Sequence, residues 1–129
     1  MIRRLELRVL RGPEGVLTLG EELPFVPRRW FTISGVPPSL TRGNHAHRAC
    51  EQLFAILAGR CTVDADDGKR RERLVLEAGQ GLYVPPLVWT AQSEWSNDAC
   101  LLVFASHPYD PADYVRDYDE FKKLIQIPD

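Results

Sequence analysis

An all-β sandwich or barrel with a short helical tail is the fold class this sequence predicts, on three observations. Period-two alternation of apolar and polar residues, rich in β-branched and aromatic side chains, dominates residues 1–106. Gly, Pro and Asp punctuation recurs at a spacing of roughly ten residues, as sandwiches and barrels require. Helical periodicity appears only in the C-terminal segment.

Taken in order, strands are expected at 2–9, 16–19, 28–34, 44–57, 60–66, 70–76, 81–84, 88–92 and 99–105. The turns between them carry the residues that turns need: GPEG at 12–15, GVPPS at 35–39, AG at 58–59, and DDG at 66–68 as the strongest hairpin signal. A helix is expected near 110–125, where Asp110 caps Pro111 at the first helical position. A second start at Asp117 would put Tyr118, Phe121, Leu124 and Ile125 on one face. No linker or repeat interrupts the chain, so residues 1–129 are expected to form one domain, long enough to bury a core without disulfides.

Composition narrows the function classes. A net charge of −2 gives no basic footprint for nucleic acid, and no apolar run is long enough to cross a membrane. Three cysteines, Cys50, Cys61 and Cys100, show no CxxC spacing, which fits reduced thiols and a cytoplasmic protein.

The stretch RGNHAHRACEQ, residues 42–52, concentrates the chemistry. Read as one strand, it turns His45, His47 and Glu51 to a common face. Two histidines and a carboxylate there form part of a metal set. The later segment GQGLYVPPLVW withholds the rest, because a fourth ligand is expected at the position of Thr90, after a glycine at the position of Leu87. No metal is therefore expected. Two consecutive inward imidazoles are costly to bury without a use, and histidine titrates near neutral pH, so proton transfer is the better reading. Gly43 permits a bulge or a close ligand approach, and Arg42 offers a forked cation for phosphate.

An HxH strand followed by a glycine turn, a strand and a diproline resembles the cupin fold, a jelly-roll β-barrel. More specifically, RGNHAHRACEQLFAILAGRCTVDADDG, LYVPPLVW and LLVFASHPYDPADYVRDYDEF, in that order, resemble the signature of the nucleotide-sugar 3,4-ketoisomerases. The stretch GPEGVLTLGEELPFVPRRWFTISGVP resembles that family's N-terminal strands, so the likeness covers nearly the whole chain.

The resemblance implies a metal-independent isomerase, with no cofactor, acting on a dTDP-linked 4-keto-6-deoxy sugar for deoxyamino-sugar biosynthesis. It also implies a homodimer that exchanges N-terminal strands. His45 corresponds to the family's proposed base and His47 to its partner, expected to hydrogen-bond or protonate the sugar oxygens. Substrate binding is expected from Arg42, with Arg29 and Arg60 as weaker cations for the diphosphate. Tyr83 is a candidate for the cavity and Glu51 for fixing an imidazole tautomer. Trp89, with Trp30 behind it, is a candidate for stacking on the base. The charges and aromatic rings of DYVRDYDEF are expected to serve as helix caps and packing groups.

The chain departs from the family pattern at Phe31 and Thr32, where two tyrosines are usual, at Glu14, where arginine is usual, and at Arg48, where lysine is usual. Two alternatives stay open: a nucleotide-sugar epimerase of the same superfamily, since related cupins abstract protons beside the same ketone, or a non-catalytic nucleotide-sugar-binding cupin that has lost a proton relay at Phe31 and Thr32.

Overall fold

A computed structural model describes residues 1–126. Its twelve strands are β1 (Arg3–Glu6), β2 (Arg8–Gly12), β3 (Gly15–Leu19), β4 (Arg29–Ser34), β5 (Arg42–His47) and β6 (Gln52–Ala58), then β7 (Arg60–Asp66), β8 (Arg71–Glu77), β9 (Gln80–Val84), β10 (Trp89–Ser93), β11 (Cys100–Ala105) and β12 (Tyr114–Val115). One helix, α1 (Tyr118–Leu124), follows.

Two five-stranded sheets, ordered β1-β9-β6-β11-β4 and β12-β5-β10-β7-β8, face each other as a jelly roll, and β2 and β3 form a separate hairpin. All the pairings are antiparallel. Alternate residues of both sheets fill the space between them, among them Phe54, Ile56, Val63, Leu76, Leu82 and Leu101.

Three expectations needed correction. The strand expected at 2–9 is divided at Leu7, where the chain leaves β9 and begins the hairpin. The single strand expected at 44–57 is two strands in different sheets. Between β5 and β6 four consecutive backbone N–H groups leave the ladder and are taken by other segments. Arg48 N–H donates to the Asp113 carbonyl, Ala49 and Cys50 N–H to the Asp113 carboxylate, and Glu51 N–H to Ser106 Oγ. A buried backbone donor must find an acceptor, so these side-on partners are what allow the chain to cross between sheets.

The helix expected near 110–125 is also divided. Asp110 does cap a short turn, accepting from Ala112 N–H with Pro111 at its start, but this is a single 3₁₀ turn over Pro111–Asp113. Strand β12 then pairs with β5, and α1 begins only after Asp117, whose carboxylate accepts from Asp119 and Glu120 N–H. The pull on the intervening residues is tertiary: Val115 is fully buried beside Ala46 and Phe121. Phe121 anchors α1, while Leu124 stays largely exposed.

Candidate active site

A local irregularity of β5 builds the site. Gly43 and Asn44 both adopt left-handed backbone conformations, at φ +89° and +58°. The ladder to β10 slips there: Thr90 faces His45, but the next residue, Ala91, faces Gly43. This is a bulge, which re-aims the side chains before it. In a regular strand Arg42 and His45, three residues apart, would point to opposite faces. The bulge brings both onto one cavity. Gly43 is also sterically required, since a Cβ there would lie 3.0 Å from the Thr90 carbonyl oxygen and 3.1 Å from the Gln92 side chain.

That cavity, of about 250 Å³, lies between the sheets. Around His45 its wall is polar, with Gln52, Thr90 and Gln92 from β6 and β10, all at most 5% exposed. Phe31 closes one side, and Tyr114 and Arg116 come from the C-terminal segment. A larger groove, about 450 Å³, runs under α1 on the outside of the second sheet. Its charges are spent on one another: Arg73 pairs with Asp64, Arg71 with Asp66, and the Tyr118 hydroxyl donates to Asp66. The unsatisfied chemistry is in the smaller cavity.

His45 and His47 stand edge to face, 5.1 Å apart, with the Tyr114 ring 5.0 Å from the first and 4.4 Å from the second. Burial lowers His45 below the ordinary imidazole value. A backbone hydrogen bond at Gly43 opposes that shift, and the charges of Arg116 and Arg29 add to it. His47, 5% exposed, is pushed down to about 4, by burial first and the neighbouring His45 second, against the pull of Asp113. Both rings are therefore neutral at pH 7, so His45 is a free base at the cavity wall. His45 Nδ1 and His47 Nε2 are buried without a hydrogen-bond partner among the described residues. Buried polar nitrogens without partners are unusual, and they mark the pair as chemically available.

The carboxylate beside the imidazoles is Asp113, with Oδ2 3.1 Å from His47 Nδ1. Burial favours its neutral form, but hydrogen bonds from Ala49, His47 and Cys50 outweigh this and hold its carboxyl below the usual range. His47, Cys50 and Asp113 bring three potential metal-ligand atoms within 4.8 Å. They fit a metal poorly: the Asp113 oxygens already accept two backbone N–H groups, and the Cys50 thiol donates to the Glu51 carbonyl. The trio is an internal hydrogen-bonded knot.

Several expected binding residues lie elsewhere. Glu51 is in the crossing between sheets and not on the face of His45; its carboxylate accepts the Tyr83 hydroxyl at 2.6 Å. Tyr83 itself alternates with the core residues Leu82 and Val84, so it points to the outer face of its sheet. Trp89 precedes Thr90 and faces outward by the same alternation, against Tyr118 and Phe121. Trp30 is 70% exposed on the outside of β4, and Arg60 is exposed where β7 begins. His47 sits behind Tyr114 and does not line the cavity. Arg29 is at the cavity's edge, its guanidinium over Phe31 and Tyr109, and its charge acts on both histidines. Arg48 points out to Glu120. Of the two positions that lack tyrosine, Phe31 faces the cavity and Thr32 faces away.

Sequence reasoning missed Gln52 and Gln92 on the cavity wall, and in the C-terminal segment Asp113, Tyr114 and Arg116. The signal for the last three was present in DYVRDYDEF, whose alternation is masked by the helical pattern that follows it. Arg116 lies 4.4 Å over the Tyr114 ring, so these groups form one strap across β5.

Comparisons with known proteins agree with this geometry. The model of the family described as FdtA: WxcM-like, C-terminal, matches residues 2–126. The chain is 38% identical over 116 residues, 89% of its length and 84% of the relative's, to a TDP-4-oxo-6-deoxy-alpha-D-glucose-3,4-oxoisomerase of Aneurinibacillus thermoaerophilus. Among solved structures, a TDP-quinovose 3,4-ketoisomerase from Campylobacter jejuni superposes with a TM-score of 0.87 at 36% identity, over 95% of this chain and 97% of that one. A variant 3,4-ketoisomerase from Thermoanaerobacterium thermosaccharolyticum, in complex with TDP-4-keto-6-deoxyglucose, gives 0.90 at 28% identity, over 96% and 93%. A 4-keto-6-deoxy sugar epimerase from Streptomyces spheroides, 16% identical with a TM-score of 0.77, shares the fold alone.

Proposed function

The chain belongs to the FdtA, WxcM-like C-terminal family, and from that premise we propose that it is a sugar 3,4-ketoisomerase acting on a TDP-linked 4-keto-6-deoxyhexose. The observation that carries the proposal is His45, a neutral imidazole on the wall of a polar cavity, in a chain whose relatives are named for this reaction.

The reaction moves a carbonyl from C4 to C3. His45 removes the C3 proton, made acidic by the adjacent C4 carbonyl, and an enediolate forms. Return of a proton to C4, with the C3 hydroxyl proton passed to the C4 oxygen, completes the shift. Gln52, Thr90 and Gln92 supply neutral hydrogen-bonding groups for the sugar oxygens, and Arg42, Arg116 and Arg29 supply cations towards the diphosphate. The chemistry is metal-independent in this reading, because the Asp113 oxygens and the Cys50 thiol are committed to hydrogen bonds. Full activity after chelation, in protein without stoichiometric metal, is the expected result.

A homodimer is part of the proposal. The outer face of the first sheet carries a row across paired strands, Trp30, Phe104, Leu53 and Tyr83, which is apolar where a solvated face would be polar. A second copy covers it, and exchange of β1, here paired with the chain's own β9, keeps that ladder intact. Sedimentation at equilibrium checks the assembly.

Incubation with TDP-4-keto-6-deoxyglucose in D₂O tests the function. Deuterium at C4 of a 3-keto product is expected. Deuterium at an inverted C3 or C5 would mean epimerisation instead, and TDP binding without any solvent exchange would mean a binding protein.

A further inference from the structure

The contacts of Asp113 constrain the chemistry of the histidine behind the cavity. Its Oδ1 accepts Ala49 N–H at 2.8 Å, while its Oδ2 accepts Cys50 N–H at 3.3 Å and lies 3.1 Å from His47 Nδ1. An ionised carboxylate only accepts, so the contact to His47 is a hydrogen bond only when Nδ1 carries the proton. A neutral imidazole has a single N–H, and Nε2 is then an unprotonated acceptor. That nitrogen is buried and has no partner among the described residues.

We propose that Asp113 is a positioning residue for the isomerisation: it holds His47 as the neutral Nδ1–H tautomer, so that the site develops one imidazolium only, on His45. This rests on the ketoisomerase reading. It reverses the role expected for His47, since a ring without a proton on Nε2 cannot protonate a sugar oxygen. The two rings are 5.1 Å apart, close enough for two positive charges to repel strongly. The other charges facing them are positive: Arg29 from β4 and Arg116 beyond β12 act on the imidazoles, and Arg42 of β5 lines the same cavity. Asp113 is the negative group that offsets the imidazolium when the proton leaves C3 for His45. His45 exchanges its proton with solvent and delivers one to C4, so the charge is discharged within the turnover and His47 ends as it began.

Nitrogen-15 NMR of the labelled protein reads the His47 tautomer without any turnover. A protonated Nδ1 and a bare Nε2 are expected at pH 7; a charged ring, or a proton on Nε2, overturns the proposal. Kinetics then test the role. Asp113→Asn should lower kcat at least about tenfold while KM stays within about threefold. It should also move the acid limb of kcat/KM to lower pH, because His45 loses its compensating charge.

In a His47→Gln background, Asp113→Ala should cost kcat clearly less than it does with His47 present, since only the charge compensation of His45 is left to lose. A full additional loss would show that Asp113 acts only by pinning the chain at Ala49 and Cys50, and overturns the positioning role. If Asp113→Ala does not fold, the Asn variant and the wild-type spectrum decide. An inactive protein with the expected tautomer would defeat the ketoisomerase reading alone; an active enzyme with the other tautomer would defeat this proposal alone.

Discussion

The space between the two sheets has two unlike ends. At one end Ile56, Val63, Leu76 and Leu82 pack as a dry core, each at most 1% exposed. At the other, the same alternation places Gln52 of β6 and Thr90 and Gln92 of β10 inward beside His45. Strand β6 passes from one to the other within five residues, from Gln52 to Ile56. Apolar side chains at the second end would stabilise the fold more, since buried polar groups cost free energy unless they are hydrogen-bonded. The polar end is thus maintained for its chemistry, and the apolar end supplies the rigidity that holds it open.

Breaking each end in turn should separate these two contributions. The largest effect is expected at His45. His45→Asn should reduce turnover by about 10²–10⁴-fold, the usual contribution of a positioned acid–base group, with TDP binding and melting temperature nearly unchanged. Steady-state kinetics, calorimetric titration with TDP and thermal unfolding check this together; wild-type turnover would remove His45 from the mechanism.

The mirror-image change is Leu82→Ala at the apolar end. It should destabilise the protein by about 2–5 kcal/mol in urea unfolding, while kcat of the folded fraction stays close to wild type. A comparable loss of kcat at low temperature would mean that the two ends are not separable.

Arg42→Ala sharpens the comparison at the cavity's mouth. Removing a charged hydrogen-bonding group costs about 1.5–3 kcal/mol, so TDP should bind roughly tenfold to a hundredfold more weakly, with the D₂O exchange pattern unchanged at saturation.

The smallest effect concerns pH. His47 has a folded value near 4, below its ordinary 6.5, so the fold favours the neutral ring. Its contribution is complete above pH 6.5 and is lost as pH falls from there towards 4. His45, also lowered, acts in the same direction. His47→Gln should flatten the stability–pH curve across that window, whereas Leu82→Ala should lower it uniformly.

The limits of sequence reading are visible in β10 and in the histidine strand. Alternation in LYVPPLVW and the strand after it sets Tyr83 on the face opposite Leu82 and Val84, and Trp89 on the face opposite Val88 and Thr90. What it could not supply was which face belonged to the cavity. In residues 44–57, continuous strand-like composition concealed a crossing between sheets. The acceptors that permit the crossing, Asp113 and Ser106, are more than fifty residues away. Glu51 therefore meets Tyr83 and not an imidazole, and the carboxylate that does meet an imidazole is Asp113, in a segment whose composition suggests only helix caps and packing groups.

The sequence by itself determined the β-strand composition, the HxH pair, the glycine that permits a bulge beside it, and the family to which these belong. All are properties of local conformation and of side chains adjacent in the chain. Only the tertiary structure decided that a bulge at Gly43–Asn44 swings Arg42 beside His45, that Tyr83 and Glu51 meet on the far face of a sheet, and that Asp113 backs His47. Each of these depends on strand register and on contacts between distant segments. A one-residue slip there reverses every side chain, and no local pattern encodes it.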